Sequence, residues 1–87
     1  MKKAGILNSD ISRVLSYMGH TDCICIGDCG LPIPDGVERI DLALAFGEPG
    51  FIRTLEIVAG DMKVEKIVLA EEIKTRNPEV LRQVEAL

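Results

Sequence analysis

His20 is the single histidine of an 87-residue chain. Imidazole is the side chain whose ordinary titration range lies nearest neutral pH, so it is the group best suited to passing a proton between substrate atoms. The residue sits between Gly19 and Thr21, away from any apolar stripe. The plain alternative is a histidine at a helix end, where its charge complements the helix dipole. Asp28 is the second candidate. A carboxylate at the end of a buried strand can accept hydrogen bonds from sugar hydroxyls, because ligands of open α/β sheets gather there. The plain alternative is a turn aspartate bonding its own backbone.

Cys23, Cys25 and Cys29 are a third cluster. They form no Cys-x-x-Cys pair, and a tetrahedral zinc site needs four well-placed ligands. Reduced, buried thiols are the expectation, with no metal. Gly27-Asp28-Cys29-Gly30 lacks the spacing of a phosphate-binding loop, so no nucleotide site is read there. The charges of Glu71, Glu72, Lys74 and Arg76 read as a solvated face.

The elements that must position these groups are short. Asn8, Ser9 and Asp10 offer helix-capping side chains, and Ile11, Val14, Leu15 and Met18 follow as one apolar stripe. Gly19 suits a left-handed helix end, which leaves His20 just beyond it. Cys23 to Ile26 is an unbroken apolar run, the pattern of a strand buried on both faces. Gly30 to Gly36 is a loop stiffened by Pro32 and Pro34, with a turn at Asp35-Gly36. Arg39 to Ala45 alternates, placing Ile40, Leu42 and Leu44 on one strand face. Pro49 suits the first turn of a second helix, whose stripe is Phe51, Leu55, Val58 and Met62. Val64 to Ala70 is a third strand candidate. Asn77-Pro78 opens a final helix with Val80, Leu81, Val84 and Leu87 on its apolar face. This order gives an α/β fold, expected as a single domain over residues 1–87.

Composition narrows the partners. Net charge is −4 and the pI is near 4.9, so phosphate backbones and anionic membrane surfaces are repelled. Tyr17, Phe46 and Phe51 are the only aromatic residues, too few for a base-stacking platform. The apolar stretch after Lys2 and Lys3 stops at Asn8, which is too short for a signal peptide. No run approaches membrane-spanning length. A cytoplasmic protein without nucleic-acid or membrane partners is expected.

Five blocks now stand in register: Leu7-Asn8-Ser9-Asp10-Ile11, Gly19-His20-Thr21-Asp22, Asp28-Cys29-Gly30-Leu31-Pro32-Ile33-Pro34, Arg39-Ile40-Asp41-Leu42-Ala43-Leu44 and Ala70-Glu71-Glu72-Ile73-Lys74. From Met1 to about Pro78 the chain resembles the ribose pyranase/fucose mutarotase family. Its Gly-Leu-Pro-Ile-Pro loop is similar to the ribose branch. The resemblance implies a sheet flanked by helices, and a cofactor-free isomerase that interconverts the pyranose and furanose forms of D-ribose. It implies a ring-shaped homo-oligomer, commonly a decamer, with sites at subunit boundaries. It assigns His20 as the acid–base residue and Asp28 as a sugar-binding residue. It also implies a later segment bearing a second histidine and a Tyr-Ala-Asn sequence. The chain reaches Leu87 without either, so it is expected to be the N-terminal portion of such a domain.

Three readings follow from these residues. The first is a ribose pyranase. The second is a truncated, non-catalytic oligomerising or sugar-binding remnant, which would bind or assemble without accelerating exchange. The third is a fucose mutarotase, which anomer exchange of fucose would separate from the first.

Overall fold

The structure is a computed structural model that describes residues 1–87. Four helices carry its regular structure: α1 (Ser9–Tyr17), α2 (Phe51–Gly60), α3 (Ile73–Arg76) and α4 (Pro78–Glu85). α1 begins where the capping residues place it. Asn8 Oδ1 accepts the Ile11 N–H at 2.9 Å, satisfying one of the donors that a helix start leaves orphaned. Ile11, Val14, Leu15 and Met18 are half-buried along one side. On the exposed side Arg13 bonds Glu38 across the chain and lies 3.8 Å from Asp10. The Glu38 hydrogen bond, reinforced by its charge, raises the Arg13 guanidinium above its ordinary pKa.

α4 has the same logic. Asn77 Oδ1 accepts from Val80 N–H at 3.3 Å, and Pro78 occupies the first helical position. Val84 on its apolar face is buried. α2 lacks a capping side chain, since Gly50 is its N-cap, but Thr54 Oγ1 donates to Gly50 O at 2.9 Å. Val58 is its buried residue. The core consists of Val58 on α2 and Val84 on α4, two helices in contact with each other, and of Ile6 in the N-terminal segment. Lys2 Nζ and Ser12 Oγ both donate to the Ile6 carbonyl, at 2.7 and 3.3 Å, tying that segment to the start of α1.

Several expectations need correction. Gly19 is not a left-handed cap: α1 ends because Met18 turns extended, at φ −66° and ψ 130°. Left-handed glycines occur instead at Gly5, Gly36 and Gly47. Gly36, at φ +85°, is the one the turn signal anticipated, in a turn closed by Val37 N–H to Pro34 O at 3.2 Å. Pro49 precedes the N-cap of α2 rather than entering its first turn. The short helix α3 falls where only a charged cluster was read.

The larger difference concerns the sheet. The segments expected as strands, 23–26, 39–45 and 64–70, exchange no backbone hydrogen bonds with one another. The sole β-type pairing is the tight Ala45–Glu48 bridge. A short apolar run has only a weak preference for the strand, and pairing partners decide whether it becomes one. Two of the segments nonetheless keep a strand's alternation of faces. Ile24 and Ile26 are half-buried while Cys23 and Cys25 are exposed, and Ile40 and Leu42 are half-buried around an exposed Asp41. The first run is thus covered on one face, not on both. Its thiols are exposed, contrary to the buried thiols expected.

The caps can be tested directly. Asn77→Ala and Asn8→Ala should each destabilise the fold by about 1 kcal/mol, read as a lower midpoint in thermal circular dichroism. Asn77→Asp, which keeps the acceptor, should stay close to the parent.

Candidate functional site

His20 sits in a closed turn. Asp22 N–H donates to Gly19 O at 3.2 Å, so Gly19-His20-Thr21-Asp22 is a turn with His20 and Thr21 at its central positions. The Asp22 side chain closes it a second time, with Oδ2 accepting the Gly19 N–H at 2.8 Å. Two hydrogen bonds between its end residues thus fix the turn, and the imidazole projects from it with its side chain 92% exposed. One ring nitrogen is engaged: Nδ1 lies 3.0 Å from Oε1 of Glu65, a residue 45 positions further along the chain.

Asp28 adopts the arrangement of an Asx turn. Its Oδ1 accepts the Gly30 N–H at 3.0 Å, and Leu31 N–H donates to the Asp28 carbonyl at 3.2 Å. Leu31 then folds back over Gly27, so closely that a Cβ there would lie 2.7 Å from Leu31 Cδ2. Arg39 donates to the Cys29 carbonyl at 3.2 Å and ties the loop to the following extended segment. A carboxylate has two oxygens and room for several donors, so the Asx bond leaves Asp28 able to accept more.

No hydrogen bond links His20 to Asp28 within the chain. Nor does either residue line the hollow beside α1, formed by Arg13, Val14, Tyr17, Met18, Asp22 and Cys23. Asp22 does line it, and Asp22 also anchors the His20 turn, so the hollow opens against the base of that turn. Two residues of this region escaped the sequence reading. Asp22 was legible in principle, since an aspartate three residues after a glycine suits a side-chain-closed turn. Glu65 carried no local signal, because only the fold brings it to His20.

The comparisons with known proteins decide the lineage. A family profile described as the RbsD / FucU transport protein family matches residues 1–87. The chain belongs to the RbsD/FucU family. Within that family it is 59% identical over 85 residues to the D-ribose pyranase of Bacillus mycoides, and 58% identical to that of Bacillus cereus, covering 98% of this chain in each case. It spans 65% of the length of these RbsD/FucU relatives. A solved structure, Bacillus subtilis RbsD complexed with D-ribose, superposes with a TM-score of 0.93 at 50% identity. That superposition covers 99% of this chain and 66% of the other. At this similarity the chain has the ribose pyranase-like fold of the family. No helix is long and apolar enough to cross a membrane.

The turn makes a specific prediction. Asp22→Ala removes the acceptor for the Gly19 N–H, a loss of about 1 kcal/mol, or about fivefold in local opening. Amide hydrogen exchange at Gly19 should accelerate by that factor. Asp22→Asn, whose amide oxygen still accepts, should exchange at nearly the parent rate.

Proposed function

We propose that this chain carries out D-ribose pyranase chemistry, exchanging the pyranose and furanose ring forms of D-ribose. The observation that carries the reading is its 59% identity to a D-ribose pyranase over almost its whole length. The likeness to an RbsD structure holding D-ribose supports the same sugar as ligand. The chain spans 65% of its relatives, so its activity is a proposal that ribose exchange must test.

The reaction needs little machinery. Opening the pyranose removes the proton of the anomeric hydroxyl and delivers one to the ring oxygen, giving the open-chain aldehyde. Reclosure by the neighbouring hydroxyl of the chain gives the furanose. Atoms and charge balance with no redox step, and the catalyst moves protons only. His20 is the proposed proton-transfer group, directly or through a relay water, an effect typically worth about 10²–10⁴ in rate. Its exposed turn presents the imidazole to a sugar without a buried polar group to satisfy. Asp28 is the proposed sugar-binding residue, holding a hydroxyl so that the anomeric position faces the imidazole. The Asx turn supports this role by fixing the direction of the carboxylate.

The setting proposed is a homo-oligomeric ring in the cytoplasm. Leu44, Phe46, Ile67 and Val68 are large apolar side chains left more than half exposed, a surface suited to burial between copies. In such an assembly the alternating segments 23–26 and 39–45 would pair as strands of a sheet flanked by the helices. Free thiols at Cys23, Cys25 and Cys29 suit a reducing compartment.

Saturation transfer between the pyranose and furanose resonances of ribose tests the activity. The protein should speed exchange, and His20→Ala should lower the enhancement by about 10² or more. Normal rates in that variant would remove His20 from its role. Asp28→Ala should act on KM, raising it about tenfold for the loss of one charged hydrogen bond.

A further inference from the structure

His20 and Asp28 carry the proposed reaction, yet the side chain that hydrogen-bonds the imidazole is Glu65. Its Oε1 lies 3.0 Å from Nδ1. An ionised carboxylate only accepts hydrogen bonds, so this contact requires a proton on Nδ1. In the neutral imidazole the lone pair then resides on Nε2. Nε2 has no hydrogen-bond partner within the chain, and the His20 side chain is open to solvent. The ring of a histidine side chain in water, being substituted on one side, prefers the opposite tautomer, with the proton on Nε2. Glu65 therefore works against the intrinsic preference of the ring.

The other carboxylate near the turn is already engaged. Asp22 holds the Gly19 N–H through Oδ2 and fixes the backbone beneath His20. The two acids thus have separate roles, Asp22 setting the turn and Glu65 setting the ring. Lys63 and Lys66 lie either side of Glu65 in sequence, but neither forms an ion pair with it.

We propose that Glu65 is a positioning residue for His20, holding Nδ1 protonated so that Nε2 is the atom that exchanges protons with the sugar. This rests on the ribose reading for what Nε2 does, but not for the tautomer itself. The pair is exposed, so its effect is modest. A solvent-exposed contact to a carboxylate shifts such an equilibrium by about two- to fivefold.

Because His20 is the only histidine, its two ring nitrogens can be followed without ambiguity by long-range ¹H–¹⁵N correlation in ¹⁵N-labelled protein. In alkaline solution, where imidazole is neutral, Glu65→Ala should lower the ratio of Nδ1–H to Nε2–H tautomers by about two- to fivefold. Glu65→Gln keeps an acceptor oxygen and should recover part of the change. Lys66→Ala alters a neighbouring charge without touching the ring and should leave the ratio as in the parent. For ribose exchange, Glu65→Ala should lower kcat by the same factor with KM unchanged. An identical tautomer ratio in parent and Glu65→Ala overturns the proposal, even where ribose exchange is normal. A shifted ratio in a protein that does not accelerate ribose exchange overturns the ribose reading and leaves the orienting pair standing.

Discussion

Ile6, Val58 and Val84 are the side chains that the chain withdraws almost wholly from water. They come from the N-terminal segment, α2 and α4, so the buried positions are drawn from both ends of the sequence and from its middle. Burying a valine or isoleucine is worth about 1.5–3 kcal/mol. A core of that size cannot hold the remaining chain by packing alone. Shape elsewhere must come from local devices that operate at the surface: the Asn8 and Asn77 caps, the Pro34–Val37 turn and the Arg13–Glu38 cross-link. Each contributes little, and together they give the chain between the core residues its path.

The candidate site is built from such devices. His20 is not packed into place. It is held by a turn closed twice by Asp22 and by one contact to Glu65. Asp28 is held by its own Asx turn, with Leu31 laid over Gly27 and Arg39 bonded to Cys29 behind it. Local hydrogen bonds fix the backbone beneath His20 and Asp28, while the contact of the imidazole itself is to the remote Glu65. Held in this way, both side chains stay open to solvent, as the roles proposed for them require.

Much of this was legible in the residues. α1 and α4 follow from Asn8 and Asn77-Pro78, because a capping side chain and a periodic stripe are both local signals. The Asp35-Gly36 turn is local as well. Asp28 was readable as either a turn residue or a ligand-facing one, and its geometry takes the first form while leaving an oxygen for the second. What failed depended on partners outside the local window. Whether Cys23 to Ile26 pairs as a strand is decided by what lies alongside it, not by its own apolar run. Glu65 stands 45 residues from His20, and no spacing rule reaches across that distance. The family blocks carried the functional reading further than periodicity did, since periodicity places His20 and Asp28 without saying what they do.

The extended segments show how the family fold and the sparse hydrogen bonding of the single chain fit together. The superposition on Bacillus subtilis RbsD has a TM-score of 0.93, so the path of the backbone is that of the family even where no ladder joins the segments. Path and pairing are separable: the caps, turns and core fix where each segment runs, while ladder bonds require a neighbour at strand spacing. Ile24, Ile26, Ile40 and Leu42 are half-buried in alternation with exposed neighbours, so these two segments keep the two faces of a strand without a ladder. The segment from Val64 to Ala70 differs, because its residues are exposed on both faces. It is also the segment that carries Glu65. A stretch with so little packing of its own owes its position to contacts at its ends and to the bond with His20. The single hydrogen bond between Glu65 and His20 is therefore shared by two exposed pieces of chain, the turn at 19–22 and the segment at 64–70.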